Sequence, residues 1–145
     1  MAEQTMRSIS INAPAAEIMA VIADFEKYPE WVEAAKDVQI LSHTSSGQAE
    51  VVHFVLDAGP VKDTFDLRYS WAADGLSVAW TLERAELQKD QHGQYSLIVE
   101  ADGSTTVTYE LTIDINMPVI GVIKRMGERV ITDTALNELK KRVEP

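Results

Sequence analysis

The sequence predicts an α+β fold: one strongly curved antiparallel sheet of about seven strands around a long C-terminal helix, with two short helices after the first strand. Three observations carry this. Apolar and polar residues alternate with a period of two through six successive segments. The turn signals Ala73-Asp-Gly75 and Ala101-Asp-Gly-Ser104 separate neighbouring segments. The chain then switches to an unbroken apolar row at i+4 spacing, the mark of a helix with one buried face.

Residues 6–12 read as a short opening strand, with Ile9 and Ile11 on one face. Asn12-Ala-Pro-Ala-Ala-Glu17 is a helix start, with Asn12 placed to cap and Pro14 in the first turn. This helix carries Ile18, Val21 and Ile22 inward and ends near Ala23 or Asp24. Pro29 forces a fresh start, and residues 30–35 form one or two short turns. The connector Asp24-Phe-Glu-Lys-Tyr-Pro-Glu-Trp-Val32 holds three large rings, which either plug one end of a core or line a mouth.

Val38 and Ile40 share a face in the next segment, and Val52, Phe54 and Leu56 in the one after. Phe65, Leu67, Tyr69 and Trp71 follow, then Val78, Trp80 and Leu82, then Tyr95, Leu97 and Val99. The last strand alternates Val107, Tyr109, Leu111, Ile113 and Ile115 against threonines and acids. Such alternation gives an antiparallel sheet with one dry and one wet face. Residues 118–143 form the closing helix, with Val119, Ile123, Gly127, Ile131, Ala135, Leu139 and Val143 in one row, flanked by Met126, Val130 and Thr134. An i+4 row drifts around a straight helix, which suits a helix crossing a twisted sheet.

The 145 residues, without repeat or linker, make one domain spanning 1–145, and a domain of this size buries a core without staples. Cysteine is absent, so disulfides, thiolate metal sites and cysteine nucleophiles are excluded. MAEQTMRSIS has no apolar signal-peptide core and no segment is apolar for long enough to span a bilayer, so a cytoplasmic protein without stable membrane insertion is expected. A formal charge of −10 and a pI of 4.6 oppose nucleic-acid binding. Lys124, Arg125, Arg129, Lys140, Lys141 and Arg142 cluster late in the chain. The last three meet the helix dipole, while the first three either pair with surface acids or flank an entrance.

The element order together with Ala23-Asp-Phe-Glu-Lys-Tyr-Pro-Glu-Trp-Val32, Tyr69-Ser-Trp71, Trp80-Thr-Leu-Glu83, Thr108-Tyr-Glu-Leu111 and Leu136-Asn-Glu-Leu-Lys-Lys-Arg142 resembles the START-like helix-grip (SRPBCC) superfamily. Within it, the chain is similar to the small bacterial polyketide cyclase/dehydrase and lipid-transport type, including an actinobacterial cyclase-like group. The resemblance covers essentially the whole chain. It implies a deep cavity between the sheet and the last helix, which members use to hold lipids, sterols, quinones, plant hormones or polyketide chains. A minority of members catalyse cyclisation and dehydration.

The residues expected to line such a cavity are Phe25, Tyr28 and Trp31 of the connector, with Phe54, Phe65, Leu67, Tyr69, Trp71, Trp80, Tyr95, Leu97 and Tyr109 of the strands. The closing helix adds Ile123, Met126, Gly127, Val130 and Thr134. Tyrosines and tryptophans on a dry face would give an apolar pocket its few hydrogen-bonding points, or serve simply as core aromatics. Asp63, in phase with Phe65, is either a carboxylate at the cavity mouth or a solvated strand end. His43, His53 and His92 fall on separate segments, so no metal site and no cofactor is expected, and no nucleophile elbow or phosphate loop is present. No catalytic residue is assigned.

Two functions follow: binding or transport of a small hydrophobic ligand, lipid or polyketide-like, or an aromatase/cyclase-dehydratase in which the tyrosines and Asp63 supply acid/base help. A filled core would favour a chaperone-like or regulatory interaction module instead. A homodimer is left open.

Overall fold

The computed structural model describes residues 5–32, 34–57, 62–115 and 121–144, with the side chains of residues 115 and 121–131 outside that description. Strand β1 (Thr5–Ile11) leads into α1 (Ala15–Ala23), a 3-10 turn (Phe25–Lys27) and the single-turn α2 (Tyr28–Trp31). Strands β2 (Ala35–His43), β3 (Ala49–Asp57), β4 (Lys62–Trp71), β5 (Ser77–Ala85), β6 (Gln88–Val99) and β7 (Thr105–Ile115) follow, and α3 (Gly121–Val143) closes the chain. All seven strands form one antiparallel sheet in the order β1-β7-β6-β5-β4-β3-β2.

The expected α+β fold is therefore present. The period-two pattern becomes burial on one face: Phe65, Leu67 and Tyr69 on β4, and Val107, Tyr109, Leu111 and Ile113 on β7, are all buried. Register shifts in β2–β3, between Asp66 and Leu67, and between Gln88 and Asp90 bend the sheet, because a bulge adds one residue to one strand only. Gly75 and Gly103 adopt φ of 73° and 91°, closing the β4–β5 and β6–β7 hairpins where a side chain would be strained.

Two local expectations are corrected. Asn12 does not cap α1 with its side chain. Pro14 is the N-cap, its carbonyl accepts from Glu17 N and Ile18 N, and Asn12 N donates instead to Glu144 Oε2 at 2.9 Å. The short turns after Pro29 begin earlier than expected: α2 already includes Tyr28 and Pro29, and Ala35 is in β2. Proline fits the first helical turn, where its missing N–H has no partner to lose, so it opens this turn rather than preceding it.

Phe25 is the ring around which the connector packs. It is fully buried, with Tyr69 at 4.7 Å, Tyr28 at 5.0 Å, Trp71 at 6.1 Å and Phe54 at 6.3 Å between centroids. The end of α3 is tied down nearby. Lys140 Nζ donates to Ser10 O at 2.6 Å, Arg142 pairs with Glu30 at 3.1 Å, and Leu136 and Leu139 are buried. Lys141 pairs with Glu138 at 3.5 Å. The side chains of Lys124, Arg125 and Arg129 lie outside the described residues.

Truncating Phe25 to alanine is expected to cost about 3–5 kcal/mol, read as a lowered urea midpoint at unchanged m-value, because the hole it leaves is walled by rings that cannot collapse into it.

Candidate functional site

A cavity of about 540 Å³ lies against the concave face of the sheet. Its walls include Tyr28, Phe54, Phe65, Leu67, Tyr69, Trp80, Tyr95, Tyr109 and Thr134. Cross-strand pairing sets these rings side by side: Phe54 opposite Phe65, Tyr69 opposite Trp80, Tyr95 opposite Tyr109. Ala34, Lys36 and Asp57, all exposed or half-exposed, mark where the cavity meets solvent.

Other expected residues fall elsewhere. Phe25 is packed behind the wall, and Leu97 is buried beyond its edge. Trp71 faces a second groove, formed with Met19 of α1 and His43, and donates Nε1–H to Ala49 O at 2.8 Å. Trp31 stacks edge-on against Tyr28 at 5.0 Å, and its buried Nε1–H has no partner among the described residues. Ile123, Met126, Gly127 and Val130 sit on α3, but their side chains are outside the described residues.

Residues outside the expected lining also border the cavity: Leu56, Leu111, Ile113 and Ala135 of the apolar faces, and Val32, Ala35 and Gln91. Leu111 and Ile113 share the phase of Tyr109, and Gln91 that of Tyr95, so a stricter use of alternation finds all three.

Trp80 organises the inner wall. Its ring lies 5.5–5.7 Å from those of Tyr69, Tyr95 and Tyr109. Its cross-strand partner is Gly93. A Cβ at residue 93 would stand 2.5 Å from Trp80 Cζ2 and 2.6 Å from Glu110 O, so the indole lies where any side chain would be. In that position Trp80 Nε1 donates to Gln91 Oε1 at 3.1 Å.

The chain has four tyrosines, and all four are buried on this wall. Burial pushes each phenol well above its ordinary titration range, because the phenolate would lose its water. For Tyr28, Tyr69 and Tyr95, repulsion from neighbouring phenolates adds to this. Tyr28 donates its hydroxyl to Ile22 O. The hydroxyls of Tyr69, Tyr95 and Tyr109 have no hydrogen-bond partner among the described residues.

Asp63 is neither at the mouth nor solvated. It is buried, and it accepts from Thr64 N, Leu87 N, Gln88 N and Gln88 Nε2 at 2.8–3.2 Å. Gln88 Oε1 accepts in turn from Gln91 Nε2 at 2.6 Å. The histidines stay apart. His53 Nδ1 meets Asp66 Oδ1 at 2.6 Å, with Arg84 Nε on the other carboxylate oxygen at 3.0 Å. His92 lies 3.4 Å from Asp90. Among the described residues no three potential metal ligands gather, and no helix is long and apolar enough to cross a membrane.

A family model described as polyketide cyclase/dehydrase and lipid transport matches residues 11–140. The fold is similar to that of a START superfamily protein from Mycobacterium smegmatis, at TM-score 0.90 and 20% identity, over 97% of each chain. The Zhui aromatase/cyclase from a Streptomyces species superposes at TM-score 0.84 and 17% identity, over 99% of this chain and 94% of its own. A Thermus thermophilus protein does so at 0.82 and 15%, over 97% of each chain. No curated protein matches.

Two outcomes follow from this wall. Tyrosinate absorbance should be absent in the native protein near pH 10, the ordinary phenol value, and should rise together with loss of circular dichroism at higher pH. The sign follows from linkage: the unfolded phenols release protons first, so stability falls as pH rises above about 10. Gly93→Ala should displace the indole and cost about 1–3 kcal/mol through overpacking, seen as a lower urea midpoint and a shifted tryptophan emission.

Proposed function

The chain belongs to the polyketide cyclase/dehydrase and lipid transport family, and from that premise we propose that it binds and carries a small hydrophobic molecule in the cavity beneath α3. The observation that supports this most is the volume of about 540 Å³ behind a wall made mainly of rings and aliphatic side chains. Dry, such a void would cost on the order of 13 kcal/mol at the coefficient found for truncated cores, as much as the whole stability of a typical domain. Water would find only a few polar groups on this wall, while each molecule wants two to four polar partners. An apolar guest replaces lost contacts on every side. Ligand sites typically occupy about 300–1,000 Å³ with a few polar groups among apolar ones.

A cyclase reading has a specific observation in its favour: three phenol hydroxyls without partners among the described residues face the cavity. Aldol cyclisation, however, also needs a base. The phenols are pushed away from ionisation, and the one carboxylate on the described wall is Asp57, at the solvent edge. Binding is therefore the stronger reading, with the phenols as hydrogen-bonding points.

Native mass spectrometry of freshly purified protein should reveal a co-purifying hydrophobic guest, and a guest supplied at about a hundred times Kd should add about 2.7 kcal/mol of stability. Thr134→Phe, which fills part of the cavity from its half-buried helix position, should weaken binding at least ten-fold while the protein stays folded. No adduct, together with no binding across fatty acids, quinones and aromatic polyketides, would overturn the proposal.

A further inference from the structure

We propose that Gln91 reads a neutral acceptor oxygen on the bound molecule, such as a ketone, quinone or ester carbonyl, and that the buried pair Asp63–Gln88 fixes which end of its amide does so. The inference rests on the ligand-binding reading above and adds the chemistry of the guest.

Gln91 is only 5% exposed, yet it lines the cavity. Its amide orientation is dictated from both ends. Trp80 Nε1 is a donor only, so the group facing it must be Oε1. The Asp63 carboxylate is an acceptor only, so Gln88 turns its Nε2 to Asp63 and its Oε1 to Gln91, which answers with Nε2. Every bond in the series has one permitted direction. Two N–H groups belong to each amide nitrogen, and the series uses one of Gln91's. The second has no partner among the described residues, and it belongs to a side chain on the cavity wall.

A buried donor left unpaired costs free energy, so the guest that fits best brings an acceptor to it. Tyr95 and Tyr109, paired with each other further along β6 and β7 on the same wall, offer hydroxyls to the same guest. The acceptor should also be uncharged. Among the described lining residues the one cation is Lys36, exposed at the mouth, and a carboxylate buried at Gln91 would lose its hydration without a counter-charge. A molecule with an ammonium or amide N–H at that end would set donor against donor.

The test is isothermal titration calorimetry with 2-acetylnaphthalene and 2-ethylnaphthalene, near-isosteres that differ by one acceptor oxygen. Gln91→Met is expected to weaken the ketone about ten-fold and the hydrocarbon less than about two-fold, the factor of one neutral hydrogen bond. Gln88→Met, which retains Gln91 and its bond from Trp80 but removes the acceptor that anchors Gln91 Nε2, should weaken the ketone selectively by about three-fold, and it carries the test if Gln91→Met does not fold. A purely structural role would weaken both probes alike in either variant, and that result would overturn the inference while leaving the ligand-binding reading intact. Wild-type protein that binds neither naphthalene overturns the inference, and the broader panel then decides the ligand reading separately.

Discussion

The inner wall depends on an indole lying across a strand position that has no side chain. Trp80 occupies the space above Gly93, and from there its ring meets three tyrosines while its N–H reaches Gln91. Glycine weakens a strand by itself, through entropy and lost packing. Here the ring restores the packing from the neighbouring strand, so the loss is largely offset. The geometry also explains why the cavity keeps its width. A side chain at residue 93 would push the indole off the sheet and into the space that the tyrosine hydroxyls face.

A second constraint works from the other side. The C-terminal turn of α3 is held through unlike contacts: Lys140 on a β1 carbonyl, Glu144 on the backbone N–H after β1, and Arg142 on Glu30 of α2. Individually, exposed pairs of this kind contribute little. Together they fix the helix against the first strand and the ring-bearing connector, so Phe25 and Tyr28 meet the sheet in one arrangement. The connector rings therefore act as a plug, and of the three only Tyr28 reaches the cavity surface.

Much of this could be read from residue order. Alternation placed the strands and their dry faces, and the i+4 row placed α3. Phe54, Phe65, Tyr69, Trp80 and Tyr109 fell on the cavity wall because phase alone decides which face a strand residue joins. What could not be read has physical reasons. Whether Phe25 or Trp71 faces the cavity or the packing behind it depends on how the sheet curls, which the bulges set. Asp63 reads as a residue of the cavity mouth or of a solvated strand end because aspartate is mostly exposed, and its burial is permitted only by partners far along the chain, Leu87 and Gln88. Gln91 is in phase with Tyr95, but glutamine too is a residue type that is mostly exposed. Asn12 is a good capping residue by type, but the helix starts too late for it: Pro14 is the N-cap and has no side-chain cap bond.

The order of strands has a consequence for how the chain assembles. From β2 to β7 every strand pairs with its sequence neighbour, so that meander can form hairpin by hairpin. Strand β1 is different: it pairs with β7, Thr5 opposite Leu111 and Ile11 opposite Thr105, most of the chain later. Distant pairings of this kind are slow, because a long loop must close before any contact rewards it. During synthesis at about 5–20 residues per second, the first strand would wait on the order of 5 to 20 seconds for its partner to emerge. Through that interval the dry face of the growing meander does not yet have α3 to cover it. The same apolar concavity that suits a guest in the finished protein is then an adhesive surface, which makes the nascent chain a natural client for chaperones.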